Sequence, residues 1–171
     1  MSVPEATVPD RSDQPVRLVP LDATQDAAAA VILAPCAPDR SVAGGQHLLA
    51  SARDDSRCEI YGLFAGNALA AVCVVKTIPF AKEIVALAVG KEWRGRGYGR
   101  ACLTAVAAHS RQRPLTVEVA EDLAGFYRAC GFRVVGKRRG PDGTVRYRLG
   151  WHAPRRAPGP QTDPQRGEIP A

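Results

Sequence analysis

The chain has 171 residues, a formal net charge of +6 and 46% hydrophobic residues, few of them aromatic. That is enough to bury one core and too little for two ordinary domains, and no apolar run approaches the roughly 18 residues that a bilayer-spanning helix needs. Five scattered cysteines without a Cys-x-x-Cys pair and three isolated histidines form no disulfide or metal pattern, so reduced core thiols, no metal and a cytoplasmic location are expected.

In chain order, residues 1–14 and 153–171 are polar, proline-containing and aperiodic, which predicts disordered tails around one domain over 15–152. A strand over 16–19 leads to Asp22, which caps an alanine-rich helix reaching about Leu33 and ended by Pro35 and Pro38. A second helix over 43–52 has its start weakened by Gly44 and Gly45. Apolar segments at 58–64 and 69–78 flank Ala65-Gly66-Asn67-Ala68, which predicts a β-hairpin. Residues 84–89 are wholly apolar and start β-branched, as in a strand covered on both faces. After a glycine-rich loop, three- and four-residue spacings from Tyr98 to His109 predict a helix stopped by Pro114. A strand over 115–119, a helix over 122–130 closed by Gly131, and a strand pair at 132–135 and 145–149 around Pro141-Asp142-Gly143 complete the order. Three sequential strands before the loop and a strand, helix, strand series after it make a mixed sheet with helices on its faces.

The loop carries the chemistry. Gly95, Gly97 and Gly99 remove side chains where a strand hands over to a helix, so that backbone N–H groups and the positive end of the helix can meet an anion. Arg94, Arg96 and Arg100 add charge beside them, the pattern of a diphosphate cradle. A nucleoside triphosphate loop would need a Gly-Lys-Ser/Thr ending that is missing, and a dinucleotide loop would need Gly-x-Gly-x-x-Gly directly after the strand. The remaining basic residues gather at 137–139 and in the tail without interleaved aromatics, which suits a small polyanion better than nucleic acid.

Arg94, Gly97 and Gly99 fit the acyl-CoA signature of the GNAT N-acetyltransferases, and Phe126-Tyr127-Arg128-Ala129-Cys130-Gly131-Phe132 resembles the tyrosine and glycine-phenylalanine segment further along that superfamily. The resemblance implies a GNAT-like α/β (α+β) fold: a mixed, mostly antiparallel, twisted sheet of six to seven strands with about four helices. It implies acetyl-CoA as co-substrate, bound by Leu87, Ala88 and Val89 and by the loop residues Arg94, Gly95, Arg96, Gly97, Tyr98, Gly99 and Arg100. Glu83 precedes Ile84-Val85 and stands eleven residues before Arg94, as the glutamate base does in GNAT histone acetyltransferases. The resemblance thus nominates Glu83 as general base, with Glu118 on the next strand as second nominee, and Tyr127 as the acid that protonates the leaving thiolate. The asparagine that many family members carry before the tyrosine helix is missing from Val119-Ala120-Glu121-Asp122. The expected partner is a small-molecule amine or peptide acceptor, in a monomer or homodimer with no membrane or nucleic-acid role. A non-catalytic acyl-CoA sensor is the alternative.

Overall fold

A computed structural model of the protein describes residues 15–110 and 113–152, so both expected tails lie outside the described residues. The elements are β1 (Val16–Pro20), α1 (Asp26–Leu33), α2 (Val42–Asp54), β2 (Cys58–Ala65), β3 (Ala68–Ile78), β4 (Ala81–Val89), α3 (Tyr98–His109), β5 (Leu115–Ala120), α4 (Glu121–Ala129), β6 (Arg133–Arg139) and β7 (Val145–Trp151). Seven strands form one sheet in the order β1-β2-β3-β4-β5-β7-β6, antiparallel throughout except where β4 meets β5. This is the mixed α/β, mostly antiparallel architecture with four helices that the sequence predicts.

The helices divide between the two faces. Cys102, Leu103 and Val106 of α3 and Tyr127 of α4 pack with Leu63, Cys73, Val75, Ile84, Leu115 and Leu149 on one face. On the other, Ala29, Ala30 and Leu33 of α1 and Leu49 of α2 pack with Val72, Val74, Ala86 and Ala88. Neighbours along β3 alternate between the two cores, so Val72 to Val75 are all buried and the strand reads as a continuous apolar run. Each fully buried Val or Leu contributes about 1.5–3 kcal/mol of burial free energy, and these centrally placed strands hold the sheet as a rigid platform.

The glycines expected to weaken α2 have a different role. Ser41 accepts a hydrogen bond from the Gly44 N–H at 2.9 Å and caps the helix. A Cβ on Gly45 would lie 2.3 Å from the Ala30 carbonyl oxygen, so glycine there lets α1 and α2 meet backbone to backbone. The thiols also depart from expectation. Cys73 and Cys102 are buried and Cys58 and Cys130 half-buried, but Cys36 is exposed and its thiol donates to the Leu87 carbonyl at 3.4 Å. Pro35 and Pro38 do end the helix, yet the turn they create lays Cys36 against β4 instead of in a core.

β6 runs on through Gly136, Lys137, Arg138 and Arg139 beyond the apolar stretch that announces it, and β7 adds Gly150 and Trp151. Alternation of hydrophobic and polar residues is too weak there for sequence periodicity to find the ends.

Candidate active site

The site begins with an irregularity in β4. Val74 and Val75 of β3 face Ala86 and Ile84, leaving Val85 as an extra residue, a β-bulge. Val85 is 49% exposed, so β4 is not covered on both faces as its composition suggests. On its other side, β4 pairs with β5 only at Lys82–Leu115, Glu83–Thr116 and Ile84–Val117. Beyond Ile84 no residue of β5 pairs with β4, and Leu87, Ala88 and Val89 keep their β3 ladder while their other edge has no partner strand among the described residues. A bulge bends and twists its strand, which accounts for the parting at this point.

The glycine loop follows directly at the end of that unpaired edge. The Gly90 N–H donates to the Ala70 carbonyl at 2.8 Å, and the Arg94 Nε donates to the Val89 carbonyl at 3.0 Å, folding the loop back onto the end of β4. Trp93 and Tyr98 are buried and touch edge to face at 5.1 Å, so the Tyr98 ring anchors the loop in the core. Gly95 and Gly97 have φ of +72° and +82°, and a Cβ on either would meet nothing within 4 Å. That open space lies over the first turn of α3, where helix geometry leaves the opening N–H groups, Gly97, Gly99 and Arg100 among them, without intrahelical acceptors. The cradle therefore fits a diphosphate. Gly99 differs: a Cβ there would meet the Phe126 ring at 3.1 Å and Val89 at 3.4 Å, so this glycine permits close packing of α3 on α4 and β4. The three arginines also separate. Arg94 braces Val89, Arg100 donates to the Ala129 carbonyl at the end of α4, and Arg96 is exposed at the loop surface.

Glu83 and Glu118 line one cavity of about 520 Å³ with Leu48, Ser51 and Ala52 of α2, Asp55, Lys76 and Val85. Glu83 is no edge residue: β4 is the middle strand of seven. It lies opposite Lys76 on one side and Thr116 on the other, and makes no ion pair among the described residues. Glu118 is bonded to Arg138, with Nη2 to Oε1 at 2.6 Å, which holds its carboxyl below the usual carboxylate range. Asp55 is held lower still by Arg57 and then by Lys76, whose Nζ is 2.9 Å away. A base works best when its pKa lies near the working pH, and Glu118 and Asp55 are both driven away from it. Thr116 Oγ1 is buried without a hydrogen-bond partner among the described residues, directly beside Glu83 in register. Neither Asp55 nor Thr116 carries a sequence signal, since each is found only by folding α2 and β5 against β4.

Tyr127 is buried, with Phe126 and Phe132 edge to face at 5.1 Å and 5.3 Å. Burial pushes its hydroxyl well above the ordinary tyrosine value, so the ring keeps its proton at neutral pH. The missing asparagine has a structural reason: β5 runs straight into α4 with Ala120 as the capping residue, leaving no loop to carry it. A further cavity of about 470 Å³, lined by Leu103, Thr104, Ala107, Cys130, Phe132 and Trp151, lies farther along α3 and holds no carboxylate. Among the described residues there is no cluster that could hold a metal ion and no helix long and apolar enough to cross a membrane.

The sequence model of the acetyltransferase (GNAT) family matches residues 28–132, which contain the parted strands, the glycine loop and Tyr127. The chain belongs to the GNAT acetyltransferase family. Solved GNAT structures share its fold. The ribosomal-protein-S18-alanine N-acetyltransferase from Escherichia coli superposes with a TM-score of 0.64 at 21% identity, over 80% of this chain and 93% of that one. A GNAT acetyltransferase from Elizabethkingia anophelis with acetyl-CoA bound gives 0.63 at 19% identity, over 81% and 98%. An aminoglycoside 6'-N-acetyltransferase complexed with coenzyme A gives 0.70 at 9% identity, over 82% and 99%. No curated protein matches the sequence.

Proposed function

We propose that the protein is an acetyl-CoA-dependent N-acetyltransferase acting on a primary amine, with one catalytic domain over 15–152 working in the cytoplasm without a metal. The observation that carries the reading is the coincidence of a strand pair that parts after Ile84 with an open glycine cradle at the head of that gap. Gly95 and Gly97 let the opening N–H groups of α3 approach the diphosphate, and Arg96 neutralises part of its charge. Along Leu87, Ala88 and Val89 every second residue turns its main-chain groups to the unpaired edge, and these meet an amide-bearing arm as a further strand would, with the Val89 carbonyl kept by Arg94. Cys36 gives up the Leu87 carbonyl when that arm enters.

An amine is a nucleophile only when deprotonated, and acetyl-CoA supplies a thioester whose leaving group must gain a proton. Glu83 takes the proton from the ammonium, directly or through a water held by the Thr116 hydroxyl, because it alone of the cavity's carboxylates is not committed to a basic side chain. Tyr127, protonated at neutral pH, gives a proton to the departing sulfur. Glu118 shapes the acceptor side through its pairing with Arg138.

The test measures free-thiol release from acetyl-CoA with a panel of amino acids, polyamines, aminoglycosides and peptides, alongside calorimetric titration of acetyl-CoA. Turnover with at least one amine supports the enzyme. Tight binding with no turnover by any amine would leave a non-catalytic acyl-CoA sensor, and no binding at all would remove both.

A further inference from the structure

Residues of β5, β7 and β6 that face the Glu83 side of the sheet follow from the register. Glu118 lies opposite Arg148, and Ala120 opposite Arg146, which in turn lies opposite Arg138. Three arginines therefore stand on one surface around a single glutamate, and α1 and α2 pack on β2, β3 and β4 instead of over them. Arg146 and Arg148 are exposed, and Arg138 keeps 67% of its side chain in solvent while paired to Glu118. Like charges directly opposite each other on a sheet destabilise it, so the Arg138–Arg146 pair costs the fold something that one carboxylate does not offset. Edge protection accounts for Arg138 on the outermost strand β6 but not for Arg146 and Arg148, because β7 is an interior strand. The patch begins where the cavity containing Glu83 ends, since Glu118 lines that cavity and bonds to Arg138.

We propose that the acceptor carries an anionic group, a carboxylate or a phosphate, which Arg146 and Arg148 hold while its amine reaches Glu83. This rests on the acetyl-transfer reading of the cleft and narrows it to one acceptor class. Glu83 is in register with Thr116 and through it with Gly150, and Arg148 and Arg146 stand two and four residues along β7 from there. With strands about 4.8 Å apart and a rise of about 3.4 Å per residue, the backbone positions of Arg148 and Arg146 are about 12 Å and about 17 Å from that of Glu83. An arginine side chain reaching back shortens these spans, which suits an amine and an anion several bonds apart. A guanidinium pair binds either anion bidentately, and the excess positive charge draws an anionic acceptor toward the cleft.

The experiment compares kcat/KM for aminohexanoate, aminohexyl phosphate, aminohexanamide and diaminohexane in the full chain. The expected result is a preference of at least about tenfold for an anionic arm over the amide, weakening as ionic strength rises; the two anionic arms tell carboxylate from phosphate. R146Q/R148Q lowers the ratio of anionic to neutral acceptor about tenfold, and R148E inverts it, with circular dichroism melts confirming that both variants fold. Equal kcat/KM for aminohexanoate and aminohexanamide, or a preference that survives R146Q/R148Q, overturns the acceptor class and leaves acetyl transfer standing. Failure of every arm together with no acetyl-CoA affinity overturns both.

Discussion

Gly97→Val separates the cradle from the fold. Gly97 has φ of +82°, the left-handed region, and nothing lies within 4 Å of a Cβ placed there. The cost to the folded state is thus backbone strain without collision, about 1–2 kcal/mol. For a domain of this size that lowers the melting temperature by roughly 3–8 °C. A valine side chain would occupy the space above the first turn of α3, where the diphosphate must approach the N–H groups, and affinity for acetyl-CoA should fall by at least about tenfold. Gly97→Ala carries most of the same strain with a smaller side chain, so it reports on strain alone. Gly99→Val is a poor substitute: its Cβ would press on Phe126 at 3.1 Å, and an overpacking cost of about 1–3 kcal/mol would mix stability with binding. Isothermal titration of acetyl-CoA into folded Gly97→Val, with differential scanning calorimetry on the same sample, decides the matter. Unchanged affinity in a protein that has lost only a few degrees would refute the cradle.

Glu83→Gln should lower kcat by about 10²–10⁴ at neutral pH with little change in acetyl-CoA affinity, whereas Glu118→Gln should act mainly on the acceptor KM, and steady-state kinetics on both variants test the assignment. Thr116→Val deletes a buried hydroxyl that has no partner, so it should leave stability unchanged or raise it by about 1 kcal/mol. Slower turnover in that same variant would mark the proposed water relay, and turnover at the wild-type rate would show that Glu83 works without it. Tyr127 has a folded pKa above its unfolded value, so its contribution to stability is fully present below about pH 10 and is lost as pH rises further. Tyr61, pushed up to about 12 by burial and then by Glu59, acts in the same direction. Tyr127→Phe should therefore lose less stability than the wild type in melts compared at pH 9 and pH 11, while its kcat falls if the hydroxyl feeds the leaving sulfur.

Much of this architecture is legible in the residues because local rules and the fold agree. Gly131 follows α4 with positive φ as expected, and the run through β3 is apolar because both its faces are covered. The glycine loop is legible for the same reason, since positive φ and open space at Gly95 and Gly97 admit little else. Asp22, expected to cap the alanine-rich helix, instead caps the short 3-10 turn Ala23–Gln25 that leads into α1, and α3 ends at Ser110, before Pro114. What stays hidden depends on partners distant in the chain. Val85 looks like any core valine until its pairing with β3 slips by one residue, and Gly45 looks like a helix defect until Ala30 is set against it. Glu83 and Glu118 are indistinguishable as letters; only Arg138, twenty residues beyond Glu118, tells them apart. Cys36 reads as a core thiol because its surroundings in sequence are apolar, whereas its place beside Leu87 comes from a turn.

The sheet is zipped on only one side of its middle strand past Ile84, and that has a signature in time as well as in space. Every second amide from Val85 to Val89 turns away from β3, and these should trade deuterium quickly despite sitting at the centre of the molecule, between neighbours that exchange slowly. A donor lying along that edge would slow them selectively, so the pattern of protection would trace its path residue by residue before any acceptor is known.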